Sequence, residues 1–310
     1  MSVAMVFPGQ GAQTIGMGKD LADAYPEARA VFEEVDEVLG EALSALIWEG
    51  DPEELTLTQN AQPALMATSI AALRAMESEG LGLDQASFVA GHSLGEYSAL
   101  CASGALSLAD TARLLRIRGQ AMQEAVPVGV GAMAAILGLE RADVDAICKD
   151  AAGDQVCQAA NINDPSQIVI SGHKEAVERA AELAKEKGAK RALMLPVSAP
   201  FHCSLMQPAA DRMAEALADT EISAPKVPLV ANVTASAITD PDEIRDRLVE
   251  QVTGSVRWLE SVQYLVGEKV ESCWEVGAGK ALSGMIRRIH KEMSVANVGT
   301  SADLANLKEG

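Results

Sequence analysis

Aromatic residues are scarce in this chain: three Trp, three Tyr and four Phe among 310 residues. With so few rings the core has to be aliphatic, built on Ala, Leu, Val and Met and on close helix packing. The five cysteines, at 101, 148, 157, 203 and 273, are odd in number, scattered and without a C-x-x-C pair. That pattern speaks against a disulfide framework and against a zinc site. Long apolar runs are lacking too. The most apolar stretch, 125–139, is short and broken by Pro127 and three glycines, so it cannot span a bilayer. Positive charge is in deficit, with 25 Lys and Arg against 44 Asp and Glu and a formal net charge of −19. Such a chain repels phosphates, which disfavours nucleic acid and an anionic membrane surface as partners. The opening segment, MSVAMVFPGQ, has no basic region before its apolar residues and runs into Pro8 and Gly9. No secretory signal is expected there, and the expected location is cytoplasmic. The N-V-T sequon at Asn232 then carries no glycan.

What remains is an ordinary globular composition, 48% hydrophobic and 22% charged. The length suits a large domain plus a smaller one. Val3–Phe7 and Ser87–Ala90 read as short buried strands, with helical patterns at 20–39, 63–79 and 108–125. The middle differs. Strand-like runs at 132–139, 156–160, 167–170 and 191–197 alternate with amphipathic helices at 141–151 and 174–187. The order β-α-β-β-α-β is ferredoxin-like. Helices at 205–218, 242–252 and 256–266, strands at 227–232 and 270–276, and a helix from Lys280 follow. Alternation on both sides of the middle predicts an α/β fold with a mostly parallel sheet. The expected division is a large domain from 1–130 and 197–310, with 131–196 inserted as a ferredoxin-like small domain.

Gly91-His92-Ser93-Leu94-Gly95 fits G-x-S-x-G, a strand-to-helix turn that exposes a serine at a helix N-terminus. A serine hydroxyl needs a base to take its proton. Only four histidines exist. His92 adjoins the serine, His173 begins a helix of the inserted unit, and His290 lies among charges at a helix end. His202, in a loop after a strand and a Pro-Phe turn, is the favoured base. No acid stands out to complete a triad. A histidine oriented by a backbone carbonyl is the simpler arrangement.

These residues resemble the bacterial malonyl-CoA:acyl carrier protein transacylases. The resemblance runs over nearly the whole chain, on FPGQGAQ (7–13), GHSLGEYSAL (91–100), RIRGQAMQ (116–123), NINDPSQIVISG (161–172), PVSAPFHC (196–203) and EVGAGKAL (275–282). It implies a hydrolase-like α/β domain carrying a ferredoxin-like insertion. It implies Ser93 as nucleophile, His202 as base, the N–H groups of Gln10 and Leu94 as oxyanion hole, and the Gln251 carbonyl as the group that orients the histidine. Among Arg113, Arg116 and Arg118, which periodicity leaves open, the resemblance picks Arg118 to bind the malonyl carboxylate. His92 and Phe201 match the malonyl-selective form, Phe201 crowding an α-methyl group. Ala278 departs from the family's usual proline. The activity implied is ping-pong transfer of malonyl from coenzyme A to acyl carrier protein, in fatty acid or polyketide biosynthesis. The thioester is a substrate; no metal or bound cofactor is implied, and a monomer is expected. The carrier is acidic in such systems, so docking would use a local basic cluster: Lys187, Lys190 and Arg191, or Arg287, Arg288 and Lys291. Two other readings stay open on the residues alone, a serine thioesterase or esterase using water, and a non-catalytic carrier-binding module.

Overall fold

Val3–Phe7 and Ser272–Val276 are buried at every residue. Strands with no polar face have to be covered on both sides, as central parallel strands are. The computed structural model describes residues 2–197 and 199–309; Met1, Gly310 and Ser198, the last inside the 196–203 motif, lie outside them. In chain order the strands are β1 (Val3–Phe7), β2 (Ala86–Gly91), β3 (Gly131–Leu137), β4 (Cys157–Asp164), β5 (Gln167–His173), β6 (Arg191–Met194), β7 (Leu229–Val230), β8 (Ala237–Ile238), β9 (Ser272–Val276) and β10 (Ser294–Val298). One sheet has the order β10-β9-β1-β2-β7-β8, parallel except for the hairpin partner β8. The other, β4-β5-β3-β6, is antiparallel throughout. With helices Arg141–Ala152 and Lys174–Glu186 it forms the expected βαββαβ unit. Val144, Ile147, Cys148 and Ala151 face its core, as do Val177, Ala180 and Ala184. The α/β class with a mostly parallel sheet and a separate antiparallel one is therefore as the sequence predicts.

Local differences have local causes. The 20–39 helix is two, Lys19–Ala24 and Pro26–Leu39, because Tyr25 is extended and Pro26 starts a new helix. The helix expected from Pro63 begins at Thr58 and takes Pro63 inside, forfeiting one helical hydrogen bond. That extra stretch carries Thr58 and Gln62 into the site. β7 is only two residues long, and β10 and β8 carried no clear strand signal. The strand before His202 is β6, which belongs to the antiparallel sheet. The sequence places 191–197 in the βαββαβ unit, and β6 pairs there with β3.

The Thr58–Ser78 helix is buried along most of its length, against the Leu108–Glu124 helix. At the closest approach a Cβ on Gly119 would lie 2.5 Å from Gln59 Cα. Gly119→Ala must push the two backbones apart. It should cost about 1–3 kcal/mol, read as a lower urea midpoint with an unchanged m-value.

Candidate active site

β1 and β2 run side by side and end together, Phe7 opposite Gly91. From Gly91 the chain reverses into the Gly95–Ala102 helix, and Ser93 sits at the apex with φ +54°. Two close approaches leave no choice of residue. A Cβ on Gly91 would lie 1.9 Å from Gly95 O, and one on Gly95 2.2 Å from Phe7 O. Holding a serine in the left-handed region costs about 1–3 kcal/mol. Asn232, just past β7, braces it: Oδ1 accepts the Ser93 N–H at 2.8 Å and Nδ2 donates to Gly91 O at 2.6 Å. Asn232 is buried, so its sequon is closed to modification in the folded protein.

His202 Nε2 lies 2.7 Å from Ser93 Oγ, and His202 Nδ1 lies 2.9 Å from the backbone oxygen of Gln251. A carbonyl can only accept, so the ring proton sits on Nδ1 and the Nε2 lone pair faces the hydroxyl. The Gln251 oxygen is available because it falls in the last turn of the Pro241–Thr253 helix, whose final carbonyls have no helical partner. Burial, and then the charge of Arg118, pull the His202 pKa down to about 3. The other histidines separate cleanly. His173 accepts the Val156 N–H inside the antiparallel unit, and His290 ends the Ala281–Ile289 helix. His92 Nε2 bonds Asn163 Oδ1 of β4 at 2.9 Å, and burial lowers its pKa.

Arg118 is 1% exposed. Nη1 donates to Gln62 Oε1 at 2.7 Å; Nη2 donates to Gln251 Oε1 at 2.8 Å and reaches Ser93 Oγ at 3.2 Å. Its Nε is buried with no partner. A buried guanidinium whose hydrogen-bond partners are all neutral, with its Nε bare, has the chemistry to take an anion. Arg113 pairs with Asp110 and Arg116 with Glu41, both outside the site. A signal for this choice exists in the sequence: Leu114, Leu115, Arg118, Ala121 and Met122 form one buried stripe. Arg113 and Arg116 fall off it.

Ser93, Leu94, His202, Arg118, His92, Phe201 and Gln10 all line one cavity of about 350 Å³, with Met122, Met133 and Val197 as its apolar wall. Gln251 stands behind it, its side chain in the buried network. The Gln10 side chain accepts from Thr58 Oγ1 at 2.8 Å, which anchors the loop after β1. A larger hollow, about 720 Å³, lies between the small-sheet helices; it is lined by Asp150 and four glutamates and holds no nucleophile. Sequence reasoning missed Gln62, Glu96, Asn163 and Asn232 as members of the site. Glu96 alone left a trace, as the one charge in an otherwise apolar helix that is buried at every residue. Its Oε2 accepts from Gln251 Nε2 at 2.7 Å and from Asn232 N at 3.2 Å, and its Oε1 is buried without a partner. Burial pushes the Glu96 pKa up to about 7.

The acyl transferase domain family matches residues 4–293. The malonyl CoA-acyl carrier protein transacylase of Escherichia coli (strain K12) is 48% identical over 302 residues, 97% of each chain. The chain belongs to the malonyl CoA-acyl carrier protein transacylase family. Solved structures of the family agree in shape. An acyl-carrier-protein S-malonyltransferase from Bartonella henselae superposes with a TM-score of 0.97 at 55% identity, covering 100% of this chain and 99% of that one. A malonyl-transacylase solved in complex with its type II PKS acyl-carrier protein matches with a TM-score of 0.97 at 45% identity, covering 100% of both chains.

A neutral His202 at every working pH is the consequence of its low pKa. Labelling of Ser93 by an uncharged fluorophosphonate should run at one rate from pH 8 down to about pH 5. A half-loss near 6.5, the ordinary histidine value, would contradict this burial.

Proposed function

We infer that this protein is a malonyl-CoA:acyl carrier protein transacylase that works through an ester on Ser93. The observation that carries the reading is the placement of Arg118: a buried guanidinium with a bare Nε, 3.2 Å from a hydroxyl that is itself 2.7 Å from a neutral imidazole. A plain hydrolase has no use for a fixed cation there. An acyl group ending in a carboxylate does, because a guanidinium meets it with two parallel hydrogen bonds.

In the first half-reaction His202 Nε2 takes the Ser93 proton as Oγ attacks the thioester carbonyl of malonyl-CoA. The oxyanion is held by the N–H groups of Gln10 and Leu94, a contribution of about 2.7–4 kcal/mol per donor in such sites. The carbon–sulfur bond breaks, and the coenzyme A thiolate leaves with the proton from His202. The malonyl ester remains on Ser93, its carboxylate on Arg118. In the second half-reaction the carrier's phosphopantetheine thiol gives its proton to His202 and its sulfur attacks the ester. Ser93 recovers the proton as the malonyl thioester departs on the carrier protein. His92, held to Asn163, and Phe201 bound the acyl end of the cavity, and Phe201 disfavours an α-methyl branch. Five buried free cysteines suit a reducing, cytoplasmic setting. The same reading divides the chain into a catalytic domain of 1–130 with 197–310 and an inserted domain of 131–196. Support for that division comes from the separate sheet of β3 to β6 and its own core cluster.

Intact mass after mixing with malonyl-CoA tests the function. A single malonyl adduct is expected, lost on adding holo carrier protein and absent in Ser93→Ala. Arg118→Ala should slow malonyl acylation by roughly 100-fold, the scale for truncating one side of a buried charge pair, and acetyl acylation far less. Steady coenzyme A release without a carrier would make the protein a hydrolase. Neither adduct nor release would make it a binding module.

A further inference from the structure

Arg118 is fully buried, yet its hydrogen-bond partners are two glutamine carbonyl oxygens and a hydroxyl. A charge so placed is costly without a counter-charge. The carboxyl that answers it is one side chain away. Gln251 bridges the gap, with Nε2 on Glu96 Oε2 at 2.7 Å and Oε1 on Arg118 Nη2 at 2.8 Å. The amide cannot be turned around. Its nitrogen end faces only acceptors, Glu96 Oε2, Ser93 O and Asn232 Oδ1, and its oxygen end faces a donor-only guanidinium. Its dipole therefore runs from the carboxyl to the arginine.

We propose that Glu96 is the resident counter-charge of Arg118, acting through the Gln251 amide, and that a carboxylate-bearing acyl group displaces it from this role while Glu96 takes up a proton from solvent. The proposal rests on the transacylase reading and adds a proton to its first step.

The carboxyl is built to give up its charge. Only Oε2 is hydrogen-bonded; Oε1 is buried and bare. Burial raises its pKa, and the Gln251 and Asn232 hydrogen bonds and the charge of Arg118 hold it back. The other groups around it stay neutral. Tyr97, its neighbour on the same helix, has its hydroxyl pushed up by burial. His202, near Arg118, is pulled down. The remaining contacts are amides. When a malonyl carboxylate pairs with Arg118, two carboxylates share one guanidinium in a buried site, and one of them must be neutral. The acyl carboxylate is the stronger acid and holds the direct contact. Glu96 therefore takes the proton, and the buried site keeps one positive and one negative charge before and after. Glu96 is a positioning residue in this scheme, since it reaches the acyl group only through Gln251 and Arg118.

The test is the ratio of Ser93 acylation rates from malonyl-CoA and from acetyl-CoA, measured by rapid quench and intact mass between pH 6 and 9. The ratio cancels every ionisation that the two donors share. In the wild type it should fall about tenfold with rising pH, the scale of one pKa step. In Glu96→Gln, and in the uncharged Glu96→Met, it should be flat. Glu96→Asp should keep the fall. A wild-type ratio that does not change with pH overturns the proposal whether or not any variant folds. A fall that persists in either uncharged variant overturns it too. Absence of any malonyl adduct in the wild type would instead overturn the transacylase reading itself.

Discussion

Gln251 is the residue on which the geometry of the site depends. Its backbone oxygen sets the tautomer of His202, its Oε1 holds Arg118, and its Nε2 ties down Ser93 O and Glu96. His202, Ser93 and Arg118 are thus registered to a single helix end. The helix is itself firmly set. Asp240 caps its start by accepting the Glu243 N–H, and Ile244, Leu248, Gln251 and Val252 lie on its buried face. One turn of rotation error would lose all three anchors together. Reactions of positioned groups fall off steeply with misplacement of about 1 Å, so tying three groups to one support has a clear advantage.

A carbonyl in the place of a triad acid also answers an electrostatic problem. An aspartate beside His202 would add a full negative charge to a buried site that holds one cation, Arg118, and one acid, Glu96. The two carboxylates would compete for Arg118, and the imidazole would be drawn toward its charged form. The helix-end carbonyl orients Nδ1–H at 2.9 Å without a net charge. It leaves the histidine neutral and adds no charge that competes for Arg118.

How much of this could be read from the chain follows from what is local. The elbow at 91–95 and the helix faces at 141–151 and 174–187 are short-range patterns, and they were legible. Arg118 was picked by the family resemblance, periodicity having left it open beside Arg113 and Arg116; in the fold the buried Leu114–Leu115–Met122 stripe separates them. Asn232, Gln62 and Glu96 were not legible. Asn232 meets Ser93 across 139 positions, Gln62 meets Arg118 across 56, and Glu96 meets Gln251 across 155. Neutral amides have no spacing rule that announces such contacts. Asn232 even carried a misleading local pattern, a sequon that folding buries. The Thr58 start of the central helix was hidden by Pro63, whose usual place is a first turn. The strand before His202 was legible too, as the last strand of the βαββαβ order.

β4 of the small sheet carries contacts to residues outside that sheet. Val256, in the loop before the Trp258–Gly267 helix, bonds β4 twice: it accepts from Ile162 N at 2.9 Å and donates from its own N to Ala160 O at 2.8 Å. Asn163 holds His92, and Asp164 holds Arg288 at 2.8 Å. Three successive β4 residues are thereby fixed beside the elbow. On the other side of the unit, the chain runs from β6 through Leu195, Pro196 and Val197 toward Phe201 and His202, and these five line the cavity. Phe201 packs on both the main core and the inner face of the small sheet. It cannot withdraw without disturbing both, and its neighbour is the base, held with φ +58°. Movement of Phe201 would therefore be felt at His202, which stands 2.7 Å from Ser93 Oγ.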